Sequence, residues 1–309
     1  MSVFDSRAVR RAFGRAARGY SQAAVLQREV ESRLLEQLQY LDERVPATVL
    51  DLGSGPGSAS AALKARWGRK CRVLALDLAL PMLREVQAKS RFWRPIHAVQ
   101  ADACALPLAD GSVDLVFSNL CLQWVDDLPR ALAELRRVLR EGGLLVFSTF
   151  GPETLIELRE AYARAGITPP LSPFAAIQQV GDALVAQGFK NPVLERDRFT
   201  LTYPDTTALM RDLKAIGATD ARVDRPAAWG ARPPPRGGRG LRAPAPRGPA
   251  AQHLGGDQRH GLGAAAGHRP PRGRGGHRPL PGREADGAAA RTPGEDGQRE
   301  TCAIQSSRL

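Results

Sequence analysis

Asp51-Leu-Gly-Ser-Gly-Pro-Gly57 sets three glycines at alternate positions behind an acid, directly after the apolar run Thr48–Leu52. Glycine lets a backbone turn sharply and approach a ligand where any Cβ would collide. A dinucleotide site would space its glycines G-x-G-x-x-G so that a helix N-terminus receives the pyrophosphate. Here the spacing is different, and the acid lies two residues before the first glycine. An acid suits an ammonium, and the exposed amides of Gly53, Ser54, Gly55 and Gly57 suit a carboxylate. The ligand implied is a zwitterionic amino acid without phosphate.

Further chemistry sits at the ends of later apolar runs. Asp77 closes the second run, twenty residues after Gly57, where a carboxylate can accept from both hydroxyls of a ribose. Asp102 closes the third and can accept from an adenine amino group, with Leu78 and Ala103 as apolar neighbours for the ring. Met82 and Asn119 complete the expected cofactor set. An amino acid, a ribose and an adenine together describe S-adenosylmethionine. The chain offers little else reactive: its one His before the last quarter is His97, and no Cys/His or Ser/His/Asp set is visible. The four cysteines form no CxxC pair and have no His at metal-ligand spacing, which predicts reduced thiols and no metal.

The elements that must hold these residues alternate. Apolar runs at Thr48–Leu52, Arg72–Leu78, Ile96–Ala101, Val113–Ser118 and Leu144–Phe150 are separated by helical stretches. One helix opens at Pro81-Met82-Leu83; another, Leu128–Leu139, carries Glu134 against Arg137 and is expected to stop at Gly142-Gly143. Strands alternating with helices imply parallel βαβ units with both sheet faces covered, and a ligand site at the strands' carboxyl ends. The expected fold is therefore α/β and Rossmann-like, with a mostly parallel sheet over residues 47–224. Residues 7–45 read as one proline-free helix, part of an N-terminal lid over residues 1–46. Beyond Phe150, helices are expected at Glu153–Arg164, Pro173–Gln187 and Asp205–Ile216, with a sixth strand at Val193–Tyr203.

Composition changes near Arg225. Residues 1–224 hold 29 Lys+Arg against 26 Asp+Glu, whereas residues 225–309 hold 15 Arg, no Lys and six acids. Most of the net +12 thus belongs to the tail, and the nearly neutral body argues against a nucleic-acid partner. No apolar run approaches a membrane span. Cytoplasmic location follows as the expectation. Seventeen of 31 glycines and four of five histidines fall after Arg225, and Val, Phe, Tyr and Met are absent there. Such a tail cannot offset its ordering entropy by apolar burial. It is expected to be disordered, and to be an out-of-frame translation of a GC-rich gene.

These features resemble class I methyltransferases. Ala12-Phe-Gly-Arg-Ala-Ala-Arg-Gly-Tyr20, Ser118-Asn-Leu-Cys-Leu-Gln-Trp124 and Met210-Arg-Asp-Leu-Lys-Ala-Ile-Gly-Ala-Thr219 are similar to segments of the malonyl-acyl-carrier-protein O-methyltransferases of biotin synthesis. That resemblance, from about Arg10 to Thr219, implies methylation of the free malonyl carboxylate on a carrier protein or on coenzyme A. It also implies a lid that brings Tyr20 near the methyl group, which argues against a cleaved presequence despite the Arg-rich start. A carboxylate is already ionised at neutral pH, so positioning replaces a general base. Arg211 first and Lys214 second are the expected carboxylate ligands, with Gln123 and Trp124 lining the acyl pocket. The family continues with a helix and a last antiparallel strand, and nothing after Thr219 resembles either, so no strand is expected between the fifth and sixth. A related family, the complex I assembly factors that hydroxylate an arginine, shares the LQW, DLPRAL and SPF segments and implies a protein-arginine substrate instead.

Overall fold

The computed structural model describes residues 5–166, 174–218 and 258–265. Seven strands form one sheet: β1 (Thr48–Leu52), β2 (Arg72–Asp77), β3 (Ile96–Gln100), β4 (Val113–Asn119), β5 (Leu139–Phe150), β6 (Leu194–Leu201) and β7 (Gln258–Ala265), in the order β3-β2-β1-β4-β5-β7-β6. The first five are parallel, whereas β7 is antiparallel to both of its neighbours. Alternation along β1 explains the two layers. Val49 joins the face covered by α3 (Ser58–Trp67), α4 (Leu80–Lys89) and residues Leu34 and Leu38. Leu50 joins the face covered by α5 (Leu128–Val138) and α7 (Ile177–Ala186). Six of the seven residues of β4 are buried, as a central parallel strand requires.

Three expectations need correction. The N-terminal segment is two helices, α1 (Ser6–Ala23) and α2 (Val25–Glu36), followed by a short 3-10 turn. The chain bends at Ala24, which carries no helix-breaking chemistry but is 2 % exposed. Its neighbours serve different surfaces: Ala17 packs with Ala79 and Met82, while Leu26 and Val30 pack on Leu120 and Phe150. Tertiary packing thus overrides propensity. Next, α5 stops at Val138 and not at Gly142-Gly143, because Leu139 already pairs with Val113 at the start of β5. Gly142, at φ +70°, lies inside that strand beside a register shift.

The third correction is the last strand. Gln258–Ala265 fills the slot between β5 and β6, pairing Phe150 with Leu262 and Leu194 with Ala265. Two strands on either side of an open slot present free N–H and C=O groups, and any backbone able to donate satisfies them. Pro is the residue that cannot, and residues 250–269 contain none while the tail around them is Pro-rich. Backbone pairing therefore tolerates a composition that side-chain burial would not. The remainder of the tail, residues 225–257 and 266–309, lies outside the described residues. Between β5 and β6 lies α6 (Ile156–Arg164), and after β6 comes α8 (Thr206–Ala215). Among the described residues, no helix is long and apolar enough to cross a membrane.

Candidate active site

The three glycines of the loop do different work. Gly53 and Ser54 both donate to the Leu76 carbonyl, at 2.8 and 3.0 Å, which binds the loop to the end of β2. Gly53 has φ +68°, and a Cβ there would lie 2.3 Å from the Cys121 Sγ. Gly57, at φ +80°, leaves room for Val86; a Cβ would meet its Cγ2 at 2.8 Å, so this glycine serves α3–α4 packing. Gly55 has room beside it: at φ +52°, a Cβ would meet only Tyr20, at 3.9 Å, on the side where a cavity opens.

That cavity, of about 130 Å³, is lined by Gly53, Gly55, Asp77, Leu78, Met82, Asp102, Ala103 and Asn119. Eight of the eleven expected cofactor residues are thus brought together. Asp51, Ser54 and Gly57 lie behind the wall. Asp51 is 1 % exposed and accepts from the Ser60 hydroxyl; burial, aided by the nearby Glu31 and Asp77 charges, pushes its carboxyl up to about 7. Its job is to brace the loop against α3, and it presents no free charge to the cavity. Asp77 accepts from the Gly55 and Ala79 N–H groups at 2.9 and 2.7 Å, while burial raises its pKa to about 6. A carboxylate has lone pairs beyond those two bonds, and these remain for ligand hydroxyls. Asp102 accepts from the Cys104 N–H at 2.9 Å in a local turn. The Asn119 amide donates to the Gln27 carbonyl at 2.9 Å, and its oxygen accepts from the Ser148 hydroxyl at 2.8 Å, tying α2 to β4 and β5. An open glycine backbone, an anchored carboxylate and the flanking Leu78, Met82 and Ala103 fit an amino-acid nucleoside.

A second cavity, of about 260 Å³, lies beyond a wall that the two share: Phe13, Tyr20, Leu120 and Trp124. Phe13 and Trp124 meet edge to face at 5.3 Å. Burial, with Asp77 nearby, holds the Tyr20 phenol well above its ordinary pKa, so it stays protonated. The lining of the second cavity is mainly apolar, with Leu26 from α2, Phe150 and Leu201 from β5 and β6, Phe174 ahead of α7, and Leu209, Leu213 and the C-cap Ile216 of α8. Gln123 lines it too, fixed by a 2.6 Å bond to the Leu120 carbonyl.

Arg211 and Lys214 do not reach it. Leu209, Leu213 and Ile216 turn inward at four- and three-residue spacing, and 100° per residue then points Arg211 and Lys214 to solvent. The charged residue of α8 in the lining is Asp212. Three other residues escape a reading of the sequence. Leu120 and Leu155 line the second cavity with φ of +48° and +57°, a left-handed conformation that non-glycine residues seldom adopt and that has no signature in sequence. Arg159 stacks on Phe174 at 5.5 Å and donates to the Thr154 carbonyl, so a cation stands directly behind two lining residues. Burial lowers its pKa, yet a guanidinium keeps its charge.

Residues 50–147 match the family described as a methyltransferase domain. With this sheet order, the glycine loop and Asp77, the match defines a class I methyltransferase that uses S-adenosylmethionine. The relatives narrow the class. The chain is 56 % identical over 223 residues to the malonyl-acyl-carrier-protein O-methyltransferase of Xylella fastidiosa (strain M23), covering 72 % of this chain and 75 % of that one. It is 49 % identical over 222 residues to the protein of the same name from Halorhodospira halophila (strain DSM 244 / SL1), with the same coverage. The chain belongs to the malonyl-acyl-carrier-protein O-methyltransferase family.

Proposed function

We propose that this enzyme converts the free carboxylate of a malonyl thioester, carried on acyl-carrier protein, to its methyl ester, an early step of biotin synthesis. The observation that carries the reading is the shared wall: a glycine-edged cavity that holds Asp77 and Asp102 and a second, mainly apolar cavity meet at Phe13, Tyr20, Leu120 and Trp124. Bound S-adenosylmethionine supplies a methyl group on a positively charged sulfur. The chain's own part is alignment, since a carboxylate oxygen is already ionised and needs no base. Gly55 and Asp77 fix the depth of the cofactor, and α1 closes over it as a lid. Phe13, Leu120 and Trp124 keep water from the junction. The protonated Tyr20 hydroxyl donates a hydrogen bond to the incoming carboxylate. Arg159, behind Phe174 and Thr154, provides the positive charge that balances that carboxylate in an apolar cavity. Cys121 borders the cofactor cavity, but burial pushes its thiol up to about 12, so it does not compete for the methyl group.

The test is direct. Malonyl-carrier protein incubated with the enzyme and S-adenosylmethionine should gain one methyl group that ester hydrolysis removes. Absence of that ester refutes the reading. Arg159→Ala should lower kcat/KM about 10-fold, the value of a positive charge lost from behind the cavity wall, without changing cofactor affinity. The arginine-directed alternative rests on the LQW, DLPRAL and SPF segments alone, and the malonyl-acyl-carrier-protein O-methyltransferase relatives favour the carboxylate reading over it.

A further inference from the structure

The N–H groups of the glycine loop, expected to receive a carboxylate, are already taken by the chain itself. Gly53 and Ser54 donate to the Leu76 carbonyl, Gly55 to Asp77 and Gly57 to the Ser54 carbonyl, while Pro56 has no N–H. The next donors along the chain belong to the first turn of α3. A glycine-rich loop that runs into a helix is an anion site, because orphan N–H groups and the positive end of the helix dipole converge there. Here the place is filled from another element. Gly57, the N-cap of α3, has no side chain to offer. Glu31 of α2, 27 residues before Ser58, accepts instead from the Ser58 hydroxyl at 2.6 Å. Burial raises the Glu31 pKa, while the Ser58 bond, the Lys89 ammonium and the Ala59 N–H all pull back toward the charged form. Lys89 is itself fixed by a 2.6 Å bond to the Pro56 carbonyl. An acid set where burial opposes its charge is held by its donors, not by apolar packing. A hydroxyl, an ammonium and an amide around one anion are the donor set of a phosphate site, with a carboxylate in the phosphate's place.

We infer that Glu31 selects the cofactor by exclusion: its carboxylate occupies the anion position at the start of α3, so the loop takes a nucleoside that bears an ammonium and refuses nucleotide phosphates. Specificity depends on what a site repels as well as on what it attracts. S-adenosylmethionine carries net positive charge, whereas ADP brings the same adenosine with net negative charge. The adenosine contacts at Asp77 and Asp102 cannot tell the two apart, but an acid beside the loop can. The inference concerns the cofactor alone and is independent of the acyl substrate.

The experiment measures how ADP and adenosine compete with S-adenosylmethionine for the full chain and for Glu31→Ala. Both competitors bring the same nucleoside, and only ADP brings phosphates. Adenosine therefore reports any general loosening of the site, and the ratio of ADP to adenosine affinity reports the anion position. In Glu31→Ala this ratio should rise about tenfold or more, as the freed hydroxyl, N–H and ammonium gain an anion. Adding Lys89→Met should cut that gain about fivefold, since it removes the cation. Inorganic pyrophosphate should raise the Tm of Glu31→Ala by about 2 °C or more, while on the parent it should do no more than sodium chloride of equal ionic strength. Should the shortened side chain fail to fold, Glu31→Gln keeps the volume and an acceptor oxygen and removes only the charge. The ratio should then rise about threefold. A ratio unchanged in both variants, or ADP and adenosine gaining alike, overturns the inference. So does a parent that binds ADP as well as Glu31→Ala does. Every readout is of binding, so a failure to form the malonyl ester would refute the functional reading and leave this inference untouched.

Discussion

The two cavities share a wall and are built by different means. The cofactor side hangs from the ends of β1, β2 and β4, where backbone groups do most of the work: two amides clamp the loop to Leu76, and a third reaches Asp77. The acyl side is assembled from α1, α2, α8 and the ends of β5 and β6, by side chains that touch across long sequence separations. Only the acyl side depends on β7, which pairs with Phe150 at the end of β5 and with Leu201 in β6, both lining residues. A backbone-built site tolerates little change in glycine and much elsewhere. A side-chain-built site behaves in the opposite way.

Removing residues 225–309 is the harshest test of that difference. It deletes β7, so methyl transfer should be abolished, whereas calorimetry should find cofactor affinity within about tenfold of the parent, because β1, β2 and β4 keep their partners. Loss of both together would show that the two sides are one cooperative unit. Next in size is Gly53→Ala. The left-handed backbone costs about 1–2 kcal/mol, and the overlap with Cys121 about 1–3 kcal/mol more. Denaturant unfolding should show a drop in that range, and cofactor binding should fall with it. An unchanged midpoint would mean that Cys121 yields freely.

Asp77→Ala should weaken cofactor binding by about 1–3 kcal/mol through lost hydrogen bonds, while the apolar cavity keeps its shape. Unaltered affinity would reduce Asp77 to a brace for Gly55 and Ala79. The smallest effect concerns pH. Folding raises Asp51 to about 7 and Asp77 to about 6 from an ordinary 3.8. The folded chain therefore holds protons that the unfolded chain releases, and stability falls as pH rises from about 4 to about 7. Asp51→Asn should flatten this decline, seen as a smaller difference in Tm between about pH 5 and about pH 8. An equally steep decline in the variant would place the effect elsewhere.

The sequence was legible where the backbone makes the site. Thr48–Leu52, Asp77 and Gly55 could be read because strand, acid and glycine each leave a local mark, and the structure puts them at one cavity. Ala24 could not be read, since the bend there follows from the two surfaces that its neighbours cover. Leu120 and Leu155 adopt their conformations under tertiary constraint alone. The orientation of Arg211 was within reach: the spacing of Leu209, Leu213 and Ile216 fixes it once the inward face is known. β7 escaped because its evidence is an unfilled slot between two other strands, combined with a short stretch lacking Pro, and neither is a hydrophobic pattern.

The shared wall has a thermodynamic consequence. Phe13, Tyr20, Leu120 and Trp124 are surfaces of both cavities, so a ligand that shifts or stiffens them on one side alters the site offered to the other. Whatever factor the cofactor adds to the affinity of the acyl substrate, the acyl substrate must add to that of the cofactor, because the free energy of the doubly occupied enzyme does not depend on the order of arrival. The same four side chains also carry the opposite message after reaction. The demethylated cofactor and the neutral ester have lost the pair of charges that met at the wall, so each gives the other less reason to stay.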